Sequence, residues 1–132
     1  TLYGGSGNDV LIGGAGADII WGETGSDTFK FDVASAGSID TVKDFKLSDA
    51  DKIDIKDLLI GYDSATKAIT DFIECTTSGA NTIVKVDRDG LGTAYTWQQI
   101  ATFRYQAKLD CQLQQDLLNR LGQSLQNFHL LR

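Results

Sequence analysis

Proline and methionine are missing from this chain of 132 residues, histidine occurs once and cysteine twice. Two cysteines, Cys75 and Cys111, make no disulfide framework and lack the spacing of metal ligands, so both read as small apolar residues. Some other staple must then hold the chain. The single histidine, His129, leaves no H-E-x-x-H. A G-x-S-x-G is missing too: Ser6 lies among glycines, but Asn8 stands where that motif needs Gly. No catalytic set is expected. No apolar run approaches the roughly 18 residues of a membrane span. With neither a signal peptide nor a methionine, the chain reads as a piece of a larger protein.

Glutamate is nearly absent as well. Of 18 acidic residues only Glu23 and Glu74 are Glu, and the net charge is −6. Aspartate belongs to turns, caps and hard-cation sites rather than to helices. Positive charge is missing altogether from residues 1–29, which hold Asp9, Asp18, Glu23 and Asp27. Such a chain is a poor partner for nucleic acid or anionic membrane, both of which call for basic patches.

What is present is a repeat. Gly4-Gly5-Ser6-Gly7-Asn8-Asp9-Val10-Leu11-Ile12 is followed in phase by Gly13-Gly14-Ala15-Gly16-Ala17-Asp18-Ile19-Ile20-Trp21 and Gly22-Glu23-Thr24-Gly25-Ser26-Asp27-Thr28-Phe29-Lys30. Gly takes the first and fourth places, Asp the sixth, and a large apolar residue (Leu11, Ile20, Phe29) the eighth; Glu23 is the one departure from glycine at a second place. Six Gly-rich residues turn the chain and three apolar-biased residues form a short strand. Two such units make one coil, so residues 18 apart stack, with Asp9 over Asp27 and Asp18 on the opposite side. Stacked carboxylates repel unless a hard cation lies between them, and all-oxygen ligands select calcium over zinc or copper. A phosphate loop does not fit, because G-x-G-x-x-G and Gly-Lys-Ser/Thr are both lacking and strands follow the glycines. A flexible linker would not keep Leu11, Ile20 and Phe29 in register.

These residues resemble the G-G-x-G-x-D-x-U-x nonapeptide of the RTX family of secreted bacterial proteins. The resemblance implies a mostly β fold: a parallel β-roll with calcium between the turns of alternate repeats, over 1–32. It implies one ligand set of the Gly4 and Ser6 carbonyls with the Asp9 carboxylate, facing the Glu23 and Gly25 carbonyls with Asp27. On the other side Gly13, Ala15 and Asp18 need a partner turn. The stretch from Ile39 to Phe45, followed by Asp51-Lys52-Ile53-Asp54-Ile55, is similar to the family's roll-closing D-x-I-x-D-F and D-K-I-D-L, and makes Asp40 the completing residue, with Asp44 a weaker candidate. Otherwise Asp44, Asp51 and Asp54 read as solvated turn and strand-edge carboxylates.

Phe29, Phe31 and Val33 alternate as a strand leaving the roll, and strands are expected over 69–75, 82–86 and 93–97, joined by hairpin-like connections; the resemblance implies that 33–102 is a β-rich capping and type I secretion region. The Asp87-Arg88-Asp89-Gly90 run fits an EF-hand poorly, since Leu91 and Gln98 fall where ligands are required, and reads as a hairpin turn, with calcium at Asp87 and Asp89 as the rarer alternative. Leu109, Leu113, Leu117, Leu121, Leu125 and Phe128 lie at helical spacing, so 103–132 is expected to carry an amphipathic helix starting near Asp110. Trp21 and Trp97 read as packing residues, with a sugar site as the rarer role. By resemblance the chain is a non-catalytic, calcium-binding module that folds on export by type I secretion, with calcium ions and the secretion machinery as partners. It would be secreted to the cell surface, as part of a large adhesin. The non-catalytic end of a secreted protease or lipase, or a calcium-dependent glycan-binding module, are the alternatives. Oligomeric state is left open.

Overall fold

A computed structural model describes residues 1–63, 66–68 and 71–104. Its first half is built from strands two or three residues long. They are β1 (Leu2–Tyr3), β2 (Val10–Ile12), β3 (Ile19–Trp21), β4 (Thr28–Lys30), β5 (Asp40–Val42) and β6 (Lys52–Asp54). Odd-numbered strands pair in parallel in one sheet and even-numbered strands in another, so the chain alternates between two sheets.

The register shows where the nine-residue period ends. Leu2 faces Ile20 and Val10 faces Thr28, both 18 apart in sequence. Ile19, however, faces Thr41, and Thr28 faces Lys52. Short 3-10 turns at Val33–Ser35 and Leu47–Asp49 absorb the extra residues. Asp32 caps the first of them, accepting the Ser35 N–H at 3.2 Å. The strand expected through Val33 therefore ends at Lys30, and Val33 is exposed.

Three longer strands follow: β7 (Ile73–Ser78), β8 (Asn81–Val86) and β9 (Gln98–Phe103). The middle one, β8, is antiparallel to both its neighbours, and β9 joins β5 in parallel, giving a six-stranded sheet in the order β1-β3-β5-β9-β8-β7. The third strand thus lies later than the 93–97 expected from alternation. Asp89 captures the Ala94 N–H at 2.9 Å and Gly92 N–H bonds the Asp89 carbonyl, which holds that stretch in a turn. Pairing starts at Gln98, in the strand whose Ile100, Ala101 and Phe103 enter the core.

The eighth-place residues Leu11, Ile20 and Phe29 are buried, and the cluster they start continues through Val42, Ile53, Val84 and Phe103. Phe45 links the parts, with ring centroids 5.9 Å from Phe29 and 5.3 Å from Phe103. Each such fully buried side chain is worth about 1.5–3 kcal/mol. The chain is β-rich, and the helical elements among the described residues are short 3-10 turns. No helix there is long and apolar enough to cross a membrane. The amphipathic helix expected in the tail lies outside the described residues beyond Arg104, as do Cys111 and His129.

Candidate metal centre

Two pairs of glycine-rich turns stack at the edges of the sheets. In the first, the 4–9 turn lies on the 22–27 turn. Gly4 N–H donates to the Trp21 carbonyl (2.8 Å), Thr24 N–H to Gly5 (2.9 Å), Gly7 N–H to Thr24 (3.0 Å), and Thr28 N–H to Asp9 (2.8 Å). Asn8 Oδ1 accepts the Ser26 N–H at 2.8 Å. In the second, the 13–18 turn meets the 35–40 segment, where Ser38 Oγ donates to the Gly16 carbonyl at 2.8 Å and Thr41 N–H to that of Asp18 at 2.8 Å.

Asp27 and Asp40 each use one carboxylate oxygen within this ladder. Asp27 Oδ1 accepts the Asp9 N–H at 3.0 Å, and Asp40 Oδ1 accepts the Asp18 N–H at 2.9 Å. The Oδ2 atoms of Asp9, Asp18, Asp27 and Asp40 are all buried with no hydrogen-bond partner. Four orphaned acidic oxygens are costly, since a buried polar group without a partner forfeits its hydration.

They also converge on bare backbone. A Cβ placed on Gly13 would sit 2.9 Å from Asp18 Oδ2 and 3.0 Å from Asp40 Oδ2, so these two oxygens close on one point. At Gly4 it would meet the Gly22 carbonyl at 2.6 Å and Asp9 Oδ2 at 3.1 Å, and at Gly22 it would overlap Asp27 Oδ2. A cradle of carboxylate and carbonyl oxygens with no donor facing it fits a hard divalent cation. Asp27 and Asp40 are both 1% exposed. Burial pushes the Asp27 carboxyl above its ordinary value, the Asp9 N–H pulls it back in part, and the Asp9 charge adds to the rise. Asp40 is raised the same way, by burial first, opposed by the Asp18 N–H and assisted by the Asp18 charge.

The expected ligands separate into two groups. Asp9 with Asp27, and Gly13 with Asp18 and Asp40, are brought together. Ser6 is exposed and bridges Thr24, Ala15 is exposed, and Gly25 packs on the Gly7 carbonyl and Asn8 Oδ1. Glu23 is exposed and holds a left-handed backbone (φ 70°) where the first two repeats have glycine at 93° and 76°. That conformation costs a side-chain-bearing residue about 1–2 kcal/mol. No group of three or more His, Cys, Asp or Glu gathers among the described residues, so the acidic ligands are paired. Trp21 stacks on Tyr3 (centroids 6.5 Å apart) beneath Lys43, while Trp97 is exposed in the segment before β9.

Three aspartates behave differently from the solvated carboxylates expected. Asp44 accepts from Gly22 N–H (2.8 Å) and Glu23 N–H (2.7 Å), which secures the strained Glu23 turn. Asp54 is 6% exposed and accepts the Lys56 N–H at 3.1 Å. Asp51, 3% exposed, sits one coil beyond Asp27 and accepts its N–H at 2.9 Å. The other Asp51 oxygen accepts the Lys46 N–H at 2.8 Å, so backbone donors use both oxygens and end the acidic stack. An Asp51→Asn chain is expected to lose about 1–3 kcal/mol of stability in calcium, because its amide NH2 opposes one buried N–H. It should bind as many calcium ions as before. Chemical denaturation beside a calcium titration checks both, and a lowered ion count would make Asp51 a ligand.

Residues 1–29 match the family model described as the RTX calcium-binding nonapeptide repeat (4 copies). No curated protein and no solved structure matches the chain.

Proposed function

We propose that this chain is a non-catalytic, calcium-dependent β-roll with a β-rich cap, which folds when a secreted protein meets external calcium. The observation that carries this reading is the set of four orphaned, buried Oδ2 atoms, paired across stacked turns of an RTX-type repeat. Asp9 with Asp27, and Asp18 with Asp40, hold calcium through these atoms, and turn carbonyls complete each shell. Bound calcium supplies the positive charge that lets the carboxylates stay stacked. Without it the acidic turns repel, and the two- and three-residue strands they connect have too few bonds to stand alone. Ligand that binds only the folded form draws folding forward by mass action. Extracellular calcium sites work at dissociation constants of about 10⁻⁴–10⁻³ M, which leaves the chain unfolded, hence exportable, in a calcium-poor cytosol.

Export by type I secretion and a large cell-surface adhesin as the parent protein complete the reading. The likeness of residues 39–55 and of the following strands to the end of such proteins supports it. In this scheme β7, β8 and β9 cap the open end of the roll.

An Asp40→Asn chain tests the assignment. Replacing one charged ligand is expected to raise the calcium concentration for half-maximal folding by about ten- to hundredfold. Circular dichroism during a calcium titration reads the midpoint, and an unchanged value would remove Asp40 from the site.

A further inference from the structure

The turn after β8 carries a second pair of acidic side chains, remote in sequence from the repeat. Asp87 is 7% exposed, and its Oδ1 is buried with no hydrogen-bond partner; Asp89 Oδ1 is in the same condition. The two carboxyl groups lie beside each other in the turn. Asp89 Oδ2 is already engaged by the Ala94 N–H at 2.9 Å. This leaves two acidic oxygens, one on each residue, without a hydrogen-bond donor.

The surroundings make the pair expensive. Asp87 N–H donates to the Phe72 carbonyl at 2.8 Å, and the Phe72 ring packs so closely on Gly90 that an added Cβ would lie 2.8 Å from it. The basic side chains nearby are committed elsewhere. Arg88 Nε donates to the Leu58 carbonyl at 3.0 Å and its guanidinium lies 4.7 Å from the centre of the Tyr95 ring. Lys67 Nζ donates to the Gly61 carbonyl at 2.7 Å. Two neighbouring carboxylates in an apolar setting with no cation of their own call for one from outside.

We propose that Asp87 and Asp89 form a separate divalent-cation site of the calcium class, bound through their two Oδ1 atoms. A cavity of about 290 Å³, lined by Asp89, Asp71, Phe72, Leu91, Gly92 and Lys67, opens beside Asp89 and gives the ion a route in and water to fill its shell, with the Lys67 ammonium drawn to the Gly61 carbonyl. A shared proton is the competing solution, but it supplies one hydrogen bond, whereas a hard cation engages both oxygens and loop oxygens as well. The site ties the turn after β8 to its own strand, and so steadies the approach to β9, whose Ala101 is paired with Asp40 on β5.

The proposal is independent of the repeat, and its test keeps the two apart. Calcium bound by the full chain is counted by native mass spectrometry for wild type, Asp87→Asn, Asp89→Asn and Asp18→Asn. One ion fewer is expected in each of the first two variants, and the Asp18→Asn chain should keep the ion at Asp87. Equal counts in wild type, Asp87→Asn and Asp89→Asn would overturn the site. A crystal of the wild-type chain grown in calcium provides an arm that needs no variant to fold. An anomalous peak between the two Oδ1 atoms supports the site, and a direct contact between those oxygens with no metal density establishes the shared proton instead.

Discussion

Excess chelator at neutral pH is expected to remove most of the β-sheet circular dichroism of the calcium-loaded chain, and returned calcium to restore it. Two like charges about 4 Å apart repel by ~4 kcal/mol at an effective dielectric near 20. Two such pairs, Asp9 with Asp27 and Asp18 with Asp40, face a total stability of about 5–15 kcal/mol for a domain. Each site held at about a hundred times its dissociation constant adds ~2.7 kcal/mol, which chelation withdraws.

Acidity should act in opposite directions in the two conditions. Burial raises Asp27, Asp40 and Asp51 above their unfolded values in the metal-free fold. The folded state then binds more protons than the unfolded one. Its stability from these groups is full below the unfolded carboxylate value and disappears as pH rises through the raised folded values. Acidification in chelator is therefore expected to rebuild structure, while in calcium the same protons compete for the ligands and weaken the fold. Thermal melts across a pH series, with calcium and with chelator, give the two slopes. A melting temperature at neutral pH that ignores chelation, or slopes of the same sign, would sink the calcium-dependent reading.

The repeat could be read in advance because its signal is local and periodic. Leu11, Ile20 and Phe29 recur every nine residues, and the same period stacks Val10 on Thr28 and Asp9 on Asp27. Asp40 was within reach through its likeness to a closing segment, although its partner lies 22 residues back rather than 18. Past Lys30 the period stops carrying information. Two 3-10 turns absorb residues that no periodicity marks, and Asp51 and Asp54 look like any turn carboxylates in one dimension. What buries Asp51 is an N–H on Asp27, 24 residues earlier, and only the register growth makes them meet. The same limit misplaced the third strand. Thr93, Tyr95 and Trp97 alternate as a strand should, but a side-chain bond from Asp89 to Ala94 N–H outweighs their propensity. The orphaned oxygens of Asp87 and Asp89 had a sequence trace in the D-x-D-G run, which the EF-hand template was too long to fit.

Gly25→Ala is expected to be the most damaging single substitution in the repeat, and Gly7→Ala its control. Both glycines have left-handed backbones, φ 124° at Gly25 and 111° at Gly7, so a Cβ strains each by about 1–3 kcal/mol. Their spaces differ. A Cβ at Gly7 meets nothing within 4 Å, whereas at Gly25 it runs into the Gly7 carbonyl oxygen and lies 3.1 Å from Asn8 Oδ1. Backbone cannot rotate aside as a side chain can, so the 22–27 turn must lift from the 4–9 turn. Lifting stretches Gly7 N–H to Thr24, Ser26 N–H to Asn8 and Asp9 N–H to Asp27 together. Overpacking adds about 1–3 kcal/mol and the three bonds about 1 kcal/mol each, so Gly25→Ala should cost roughly 5–9 kcal/mol against ~1–3 for Gly7→Ala. Calcium affinity should fall at Asp9 and Asp27, while the Asp18 and Asp40 side, reached through different turns, keeps its ion. Denaturation of both variants in saturating calcium, with ion counts beside it, measures the difference. Equal costs would mean that the first two stacked turns do not approach as closely as Gly25 requires, and that glycine at the fourth place serves the turn alone.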